Sequence, residues 1–244
     1  MRVTERLRHA VYSAYYKARN LNYSSRYGYP TTKAVGDISF RSYELYSLHG
    51  RDDLLHELVG RVDAGDVFFD VGANVGVYSC AAAAAGATVH AFEPNPEARE
   101  KLRANLDANG FGDGTDSVLH SFALSDTDGT ATFHVSSYPE VSSLRRANAT
   151  VSGGRVVTSF ETETRRLDTA VERLGLPPPD HLKVDVEGSG IGVLRGAEET
   201  LAEARPTVYF EPHGNAEEAR EMLEGAGYAV EQTEDGDFVA EPTE

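Results

Sequence analysis

Two apolar runs of equal length, Val67-Phe68-Phe69-Asp70-Val71 and Thr88-Val89-His90-Ala91-Phe92, constrain the fold of this chain more than any other feature. Neither alternates between apolar and polar positions, so each reads as a strand buried on both faces inside a parallel sheet. Between them Val77–Ala85 reads as a helix stopped by Gly86. Strand, helix and strand make a right-handed crossover, the building block of a doubly wound α/β sheet. The corner after the first strand, Gly72-Ala73-Asn74-Val75-Gly76, brackets a tight turn with glycines. Free N–H groups of the following helix start there. Glu93, about 20 residues on at the tip of the second strand, is placed to accept hydrogen bonds from the hydroxyls of a ribose. Together these features point to a bound nucleoside cofactor.

The rest of the chain extends that pattern. A helix over Pro96–Ala108 stops at Asn109-Gly110, and Val118–Leu124 reads as a third strand. Residues 127–166 form a β-rich insertion near the site, with strands at Thr130–Val135 and Arg155–Arg165 around turns at Asp128-Gly129 and Gly153-Gly154. The Ser142-Ser143-Leu144 loop lies inside it. A helix at Leu167–Leu174 leads through Pro177-Pro178-Pro179 to a fourth strand, Leu182–Val186. Gly196–Ala204 and Ala216–Glu224 read as helices around a fifth strand at Thr207–Phe210. Tyr228–Gln232 and Asp237–Ala240 close the chain as an antiparallel hairpin around Asp235-Gly236. The expected class is α/β, a Rossmann-like sheet of seven strands, mostly parallel, with helices on both faces. Before the first strand, Leu45, Leu48, Leu54, Leu55, Leu58 and Val59 predict helical packing over Ser42–Val62, interrupted at Gly50. The expected organisation is a basic helical extension over residues 1–41 and one domain over 42–244.

With 39 acidic against 23 basic residues the net charge is −16, which opposes nucleic acid as a partner. Scarce lysine and abundant surface carboxylate fit a chain adapted to a high-salt cytosol; an ordinary acidic enzyme is the alternative. Cys80 stands alone, so no internal disulfide forms and a reducing, cytoplasmic setting is expected. No run approaches the roughly 18 to 20 apolar residues of a bilayer span. Residues 1–33 invert the charge: Arg2, Arg6, Arg8, Lys17, Arg19, Arg26 and Lys33 oppose Glu5 alone. A helix over Thr4–Arg19, with Leu7, Val11, Ala14 and Tyr15 on one side, either meets a membrane surface or an anionic substrate, or packs on the domain or a second copy of the chain.

The loop spacing Asp70-x-Gly72-x-Asn74-x-Gly76 puts Asn74 where a dinucleotide loop has its middle glycine. It fits S-adenosylmethionine better, with Asp70 facing the cationic amino-acid portion. At the other end of the site, Asp185 and Glu187 lie at the carboxyl end of the fourth strand and share a face if that strand persists so far. A carboxylate there can orient an acceptor hydroxyl and take its proton; alternatively Lys183, of the same parity, pairs with one of them. Glu211 and His213 follow the fifth strand toward the same rim, and His213 is a candidate general base. Asp185, Glu187, Glu211 and His213 have donor types that suit a divalent ion. No diagnostic ligand spacing supports one, and no metal is expected. No hydrolase elbow and no Walker loop is present.

On these blocks the chain resembles the FkbM-type methyltransferases, class I S-adenosylmethionine-dependent enzymes. The resemblance rests on Asp70 to Gly76, Phe92-Glu93-Pro94-Asn95, Ala123-Leu124-Ser125-Asp126, Arg166-Leu167-Asp168, Lys183-Val184-Asp185-Val186-Glu187-Gly188 and Val193-Leu194-Arg195-Gly196-Ala197. It implies that Asp70, Gly72, Ala73, Asn74, Gly76, Glu93 and Pro94 hold the cofactor, and that Ala123, Leu124 and Asp126 line its adenine end. It also implies O-methylation of a hydroxyl on a sugar, glycan, glycolipid or polyketide-like compound. One departure stands out. Gly190 and Gly192 occupy places where the family commonly has acidic residues, which marks either a turn remodelled for another acceptor or weakened catalytic equipment. A cofactor-binding partner protein without catalysis and a nicotinamide-dependent oxidoreductase are the alternative readings. The loop spacing and terminal hairpin disfavour the oxidoreductase. An Asp-Val-Glu-Gly block in place of Asn-Pro-Pro-aromatic disfavours nucleic-acid methylation.

Overall fold

The computed structural model describes residues 3–24, 28–45, 52–112 and 115–243. Helix α1 (Val3–Ser24) leads to an antiparallel hairpin of β1 (Thr31–Val35) and β2 (Ile38–Ser42). The sequence reading missed this hairpin. Its buried positions are Lys33, Val35, Phe40 and Ser42, half of them polar, so the alternation carries little hydrophobic signal. The helical reading of Ser42–Val62 holds only for α2 (Asp53–Val59), which Asp52 caps through its carboxylate. Leu45 is exposed and not helical, and Leu48 and Gly50 lie outside the described residues.

From there the chain follows the expected alternation: β3 (Val67–Val71), α3 (Val77–Ala85), β4 (Thr88–Phe92), α4 (Pro96–Asn109) and β5 (Ser117–His120). The expected strand over Val118–Leu124 is in fact two. The chain leaves the main sheet after His120, and β6 (Ala123–Leu124) pairs instead with β8 (Val156–Arg165), which also pairs with β7 (Gly129–Ser136). These three strands form the insertion's own small sheet. Next come α5 (Leu167–Leu174), β9 (His181–Val184), α6 (Gly190–Arg195), α7 (Glu198–Glu203), β10 (Thr207–Phe210), α8 (Ala216–Gly225), β11 (Tyr228–Gln232) and β12 (Phe238–Pro242). β9 ends at Val184, so Asp185 and Glu187 lie beyond the strand that was expected to carry them. The helix expected at 196–204 begins six residues earlier, at Gly190, and is split in two at Gly196-Ala197. A Cβ on Gly196 would sit 2.1 Å from the Ser125 carbonyl oxygen, so that close crossing requires glycine.

The main sheet has seven strands in the order β11-β12-β10-β9-β3-β4-β5, and only β12 runs against the others. The direction of winding reverses between β3 and β9, which opens a crevice at their carboxyl ends. Alternate side chains feed two cores. Phe69, Phe92, Leu182, Val184 and Phe210 pack toward α5 to α8, and Phe68, Val89, Ala91 and Tyr209 toward α2 to α4.

Candidate active site

The corner after β3 is shaped by the protein's own packing. Gly72 has φ +81°, and a Cβ there would lie 1.9 Å from the carbonyl oxygen of Asp185. Gly76 also has φ +81° and faces Leu102 of α4. Both glycines therefore answer to close approach within the fold. Asn74, in the left-handed region at φ 50°, aims its N–H at Glu93 Oε2 (2.9 Å), and the Asn95 N–H donates to Oε1 (2.8 Å). Each Glu93 oxygen keeps a lone pair for another donor. Burial raises the Glu93 carboxyl to about 7 despite the two N–H groups that favour its charge.

This corner forms one wall of a cavity of about 690 Å³, counting its open mouth. Of the residues expected at the cofactor and the acceptor, Gly72, Asn74, Glu93, Pro94, Ala123, Leu124, Asp185 and Glu187 line it. Asp70, Ala73, Gly76, Asp126 and His213 do not. Asp70 is buried on the α3 face, accepts a hydrogen bond from Ser79 Oγ at 2.6 Å, and lies 4.0 Å from the Lys183 ammonium. Its charge partner is inside the protein, which corrects the expectation that it meets a cofactor. Ala73 packs into the core, and Asp126 accepts from Ser125 and Thr127 on the exposed edge of the insertion.

The opposite wall comes from the insertion: Phe133, Pro139, Glu140, Ser142, Ser143 and Leu144. Ser143 Oγ donates to the Glu187 carbonyl at 2.6 Å, tying the insertion to the loop after β9. The N-terminal helix braces the same wall. The buried Arg19 guanidinium lies 2.8 Å from Glu140 and 3.5 Å from Glu44, and the Tyr16 hydroxyl donates to Glu140. Sequence reasoning missed this brace because the partners are 121 residues apart. Val11, assigned to the helix's packing face, is exposed.

Beside the cavity, Lys183 is the hub of an acidic cluster. Its buried ammonium lies 2.9 Å from Asp185, 3.9 Å from Glu211 and 4.0 Å from Asp70, and stands 4.3 Å over the Tyr78 ring. The alternative reading, that Lys183 pairs with a neighbouring carboxylate, is the observed one. His213 Nε2 is 2.8 Å from Asp185 Oδ1, and its Nδ1 is 3.5 Å from Glu187. Burial works against ionised Asp185, but Lys183 and the His213 hydrogen bond hold it well below the usual carboxylate range. Burial likewise disfavours charged His213, yet its bond to Asp185 and the surrounding carboxylates push it up to about 9. Glu211 rises to about 8 through burial and the charge of Asp185. Donor atoms of Asp185, Glu211 and His213 come within 4.8 Å of one another, close enough to share an ion. The Lys183 ammonium already stands among these carboxylates and supplies the countercharge.

The strand order, the single antiparallel strand and the cavity at the switch point define an S-adenosylmethionine-dependent methyltransferase fold. An FkbM methyltransferase from Methylobacillus flagellatus superposes with a TM-score of 0.53 at 14% identity, over 74% of this chain and 44% of that one. An S-adenosylmethionine-dependent methyltransferase from Agrobacterium tumefaciens gives 0.51 at 14% identity, over 90% and 72%. The methyltransferase FkbM domain model matches residues 70–230. The chain belongs to this family of methyltransferases. It is 31% identical over 224 residues to the hexuronic acid methyltransferase AglP of Haloferax volcanii, covering 89% of this chain and 84% of that one. It is 30% identical over 200 residues to the 31-O-demethyl-FK506 methyltransferase FkbM of Streptomyces tacrolimicus, covering 70% and 75%.

Proposed function

We propose that this chain transfers a methyl group from S-adenosylmethionine to a sugar hydroxyl of a glycan or glycolipid. The observation that carries the reading is the meeting, at one switch-point cavity, of the Glu93 carboxylate with the Asp185–His213 pair beside it. The free lone pairs of Glu93 suit two ribose hydroxyls, and Phe92, Ala123 and Leu124 offer an apolar wall to a purine. When bound, the cofactor supplies an electrophilic methyl on a sulfonium. The protein's part is to position the acceptor oxygen and remove its proton. Glu187, on the cavity wall, orients the hydroxyl. His213 takes the proton, held in line by Asp185, and Lys183 keeps Asp185 ionised. Asp70 serves as a further countercharge to Lys183, not as a cofactor ligand. A sugar acceptor is favoured by the hexuronic acid named for the Haloferax volcanii relative.

Gly190 has a local explanation that needs no loss of chemistry, whereas at Gly192 a Cβ would make only ordinary contacts of 3.6 Å or more and nothing in the packing requires glycine. A Cβ on Gly190 would stand 2.7 Å from the Phe210 ring, so the helix packs against β10 only with glycine there. This weighs against the non-catalytic alternative. Calorimetric titration with S-adenosylmethionine tests the cofactor. Mass spectrometry of glycans and lipids from cells with and without the protein tests the acceptor, with the loss of one methylene as the expected signature. Absence of both binding and any such mass change overturns the proposal.

A further inference from the structure

In a chain of net charge −16, the stretch from Val141 to Phe160 contains no carboxylate and carries Arg145, Arg146 and Arg155. This is the segment that faces Glu93 across the cavity, through Ser142, Ser143 and Leu144. All three arginines are exposed, and none has an ion-pair or hydrogen-bond partner for its guanidinium among the described residues. By contrast Arg19, Arg61, Arg165, Arg195 and Arg220 are each engaged by a carboxylate. The one acidic neighbour in the preceding turn, Glu140, is already bound by Arg19 and Tyr16. The position of the segment is fixed. The Arg145 N–H donates to Ser143 Oγ, which in turn donates to the Glu187 carbonyl, and the Asn148 side chain lies against Gly188. Arg155 pairs through its backbone with Ser137, two residues before Pro139 of the cavity wall. A carboxylate-free, arginine-bearing rim therefore sits one or two residues from the loop that carries Asp185 and Glu187.

We infer that Arg145 and Arg146, on the carboxylate-free segment that also carries Arg155, form an anion-binding rim that receives a carboxylate or phosphate carried by the acceptor sugar. The inference rests on the methyl-transfer reading of the adjoining cavity and narrows its acceptor to an anionic one. Asp185 and Glu187 stand beside the cavity with Lys183 and His213 as their countercharges, and a positive field at the mouth adds attraction for an incoming anion. Exposed guanidinium groups bind carboxylates and phosphates alike through paired N–H donors. The two sources must be separated by experiment.

Ligand-detected NMR on the whole chain, with glucuronic acid, glucose 6-phosphate and glucose as probes, makes the test. Wild type is expected to bind one or both anions and to bind glucose more weakly, with the difference shrinking as salt is added. The exposed double substitution Arg145→Gln/Arg146→Gln is expected to weaken the anion by about tenfold and leave glucose unchanged. Arg41→Gln makes a single charge change on the remote hairpin and should alter neither. Glucuronic acid alone responding assigns a carboxylate; glucose 6-phosphate alone assigns a phosphate. Equal binding of all three sugars, or anion binding indifferent to the double substitution, overturns the inference. If the double substitution lowers S-adenosylmethionine affinity while sparing both anions, the rim serves the cofactor and the inference is likewise lost. Binding is read without transfer, so failure of the methyltransferase assay with anion binding intact counts against the proposed reaction and not against the rim.

Discussion

Two carboxylates face the same cavity and are held in opposite ways. Glu93, after β4, rests on two backbone N–H groups of neighbouring loops, and burial lifts its carboxyl to about 7. Asp185, after β9, rests on the side chains of Lys183 and His213, whose charges keep it well below the usual range. The first corner is a cradle of neutral dipoles, fitted to accept hydrogen bonds from hydroxyls. The second is a charged relay, fitted to hold a proton on His213 and release it. Gly72 joins the two, because its Cα passes directly over the Asp185 carbonyl.

The largest expected effect comes from dismantling the charged corner. Lys183→Met leaves Asp70, Asp185 and Glu211 without their central ammonium, and removing one partner of a buried ion pair costs about 3–5 kcal/mol. Urea denaturation measures it. A loss under about 1 kcal/mol would show that these carboxylates do not depend on Lys183. Gly72→Ala attacks the junction, combining left-handed strain with a steric clash for a cost of about 2–4 kcal/mol. Unchanged stability there would falsify the claim that the two corners touch through this glycine.

The dipole corner is sharpened by Glu93→Ala. Loss of hydrogen bonds to a charged group is worth about 1.5–3 kcal/mol, so S-adenosylmethionine affinity should fall at least tenfold by calorimetry. Unaltered affinity removes Glu93 from the ribose role. Next is pH. The raised His213 contributes stability fully below its ordinary 6.5 and loses it as pH climbs through about 9. Glu211, raised from 4.5 to about 8, also costs stability as pH rises between those values. Asp185 acts at the other end, its contribution being lost as pH falls below 3.8. Thermal melts should therefore weaken on the alkaline side, while the methyl-transfer rate rises toward pH 9 as His213 frees its lone pair. A rate that is flat from pH 6.5 to 9, or equally steep in His213→Gln, assigns the base elsewhere. The smallest effect is Glu140→Ala, which frees the insertion wall from Arg19. The Glu140 side chain is 43% exposed, so cofactor affinity should drop only about two- to fivefold.

Strands β3, β4 and β10 and helices α3 and α5 fall at the residues read from sequence, because runs buried on both faces and glycine stops are local signals. The hairpin of β1 and β2 was not legible, since a lysine and a serine fill half of its buried face. Glu93 lies on the cavity wall, where its place at a strand tip puts it. The reading of Asp70 as a cofactor contact failed because only the register of β3 against β9, which sets Asp70 opposite Lys183, reveals its internal partner. The Ser142-Ser143-Leu144 loop reads from sequence as part of an insertion near the site, yet its cavity wall and its Arg19 brace need contacts far apart in the chain.

What the order of residues determined was the doubly wound sheet, the family and the carboxylate at the second strand's tip, all of which follow from periodicity and short motifs. Folding alone decided which charges meet. Lys183 on β9, Asp185 just after it, and Glu211 and His213 after β10 meet because the two strands pair in the sheet, and ionisation in that cluster depends on burial and on distances of about 3 to 4 Å. Coulomb energies at such separations change severalfold with the surrounding dielectric, so no reading of spacing along the chain could have supplied them.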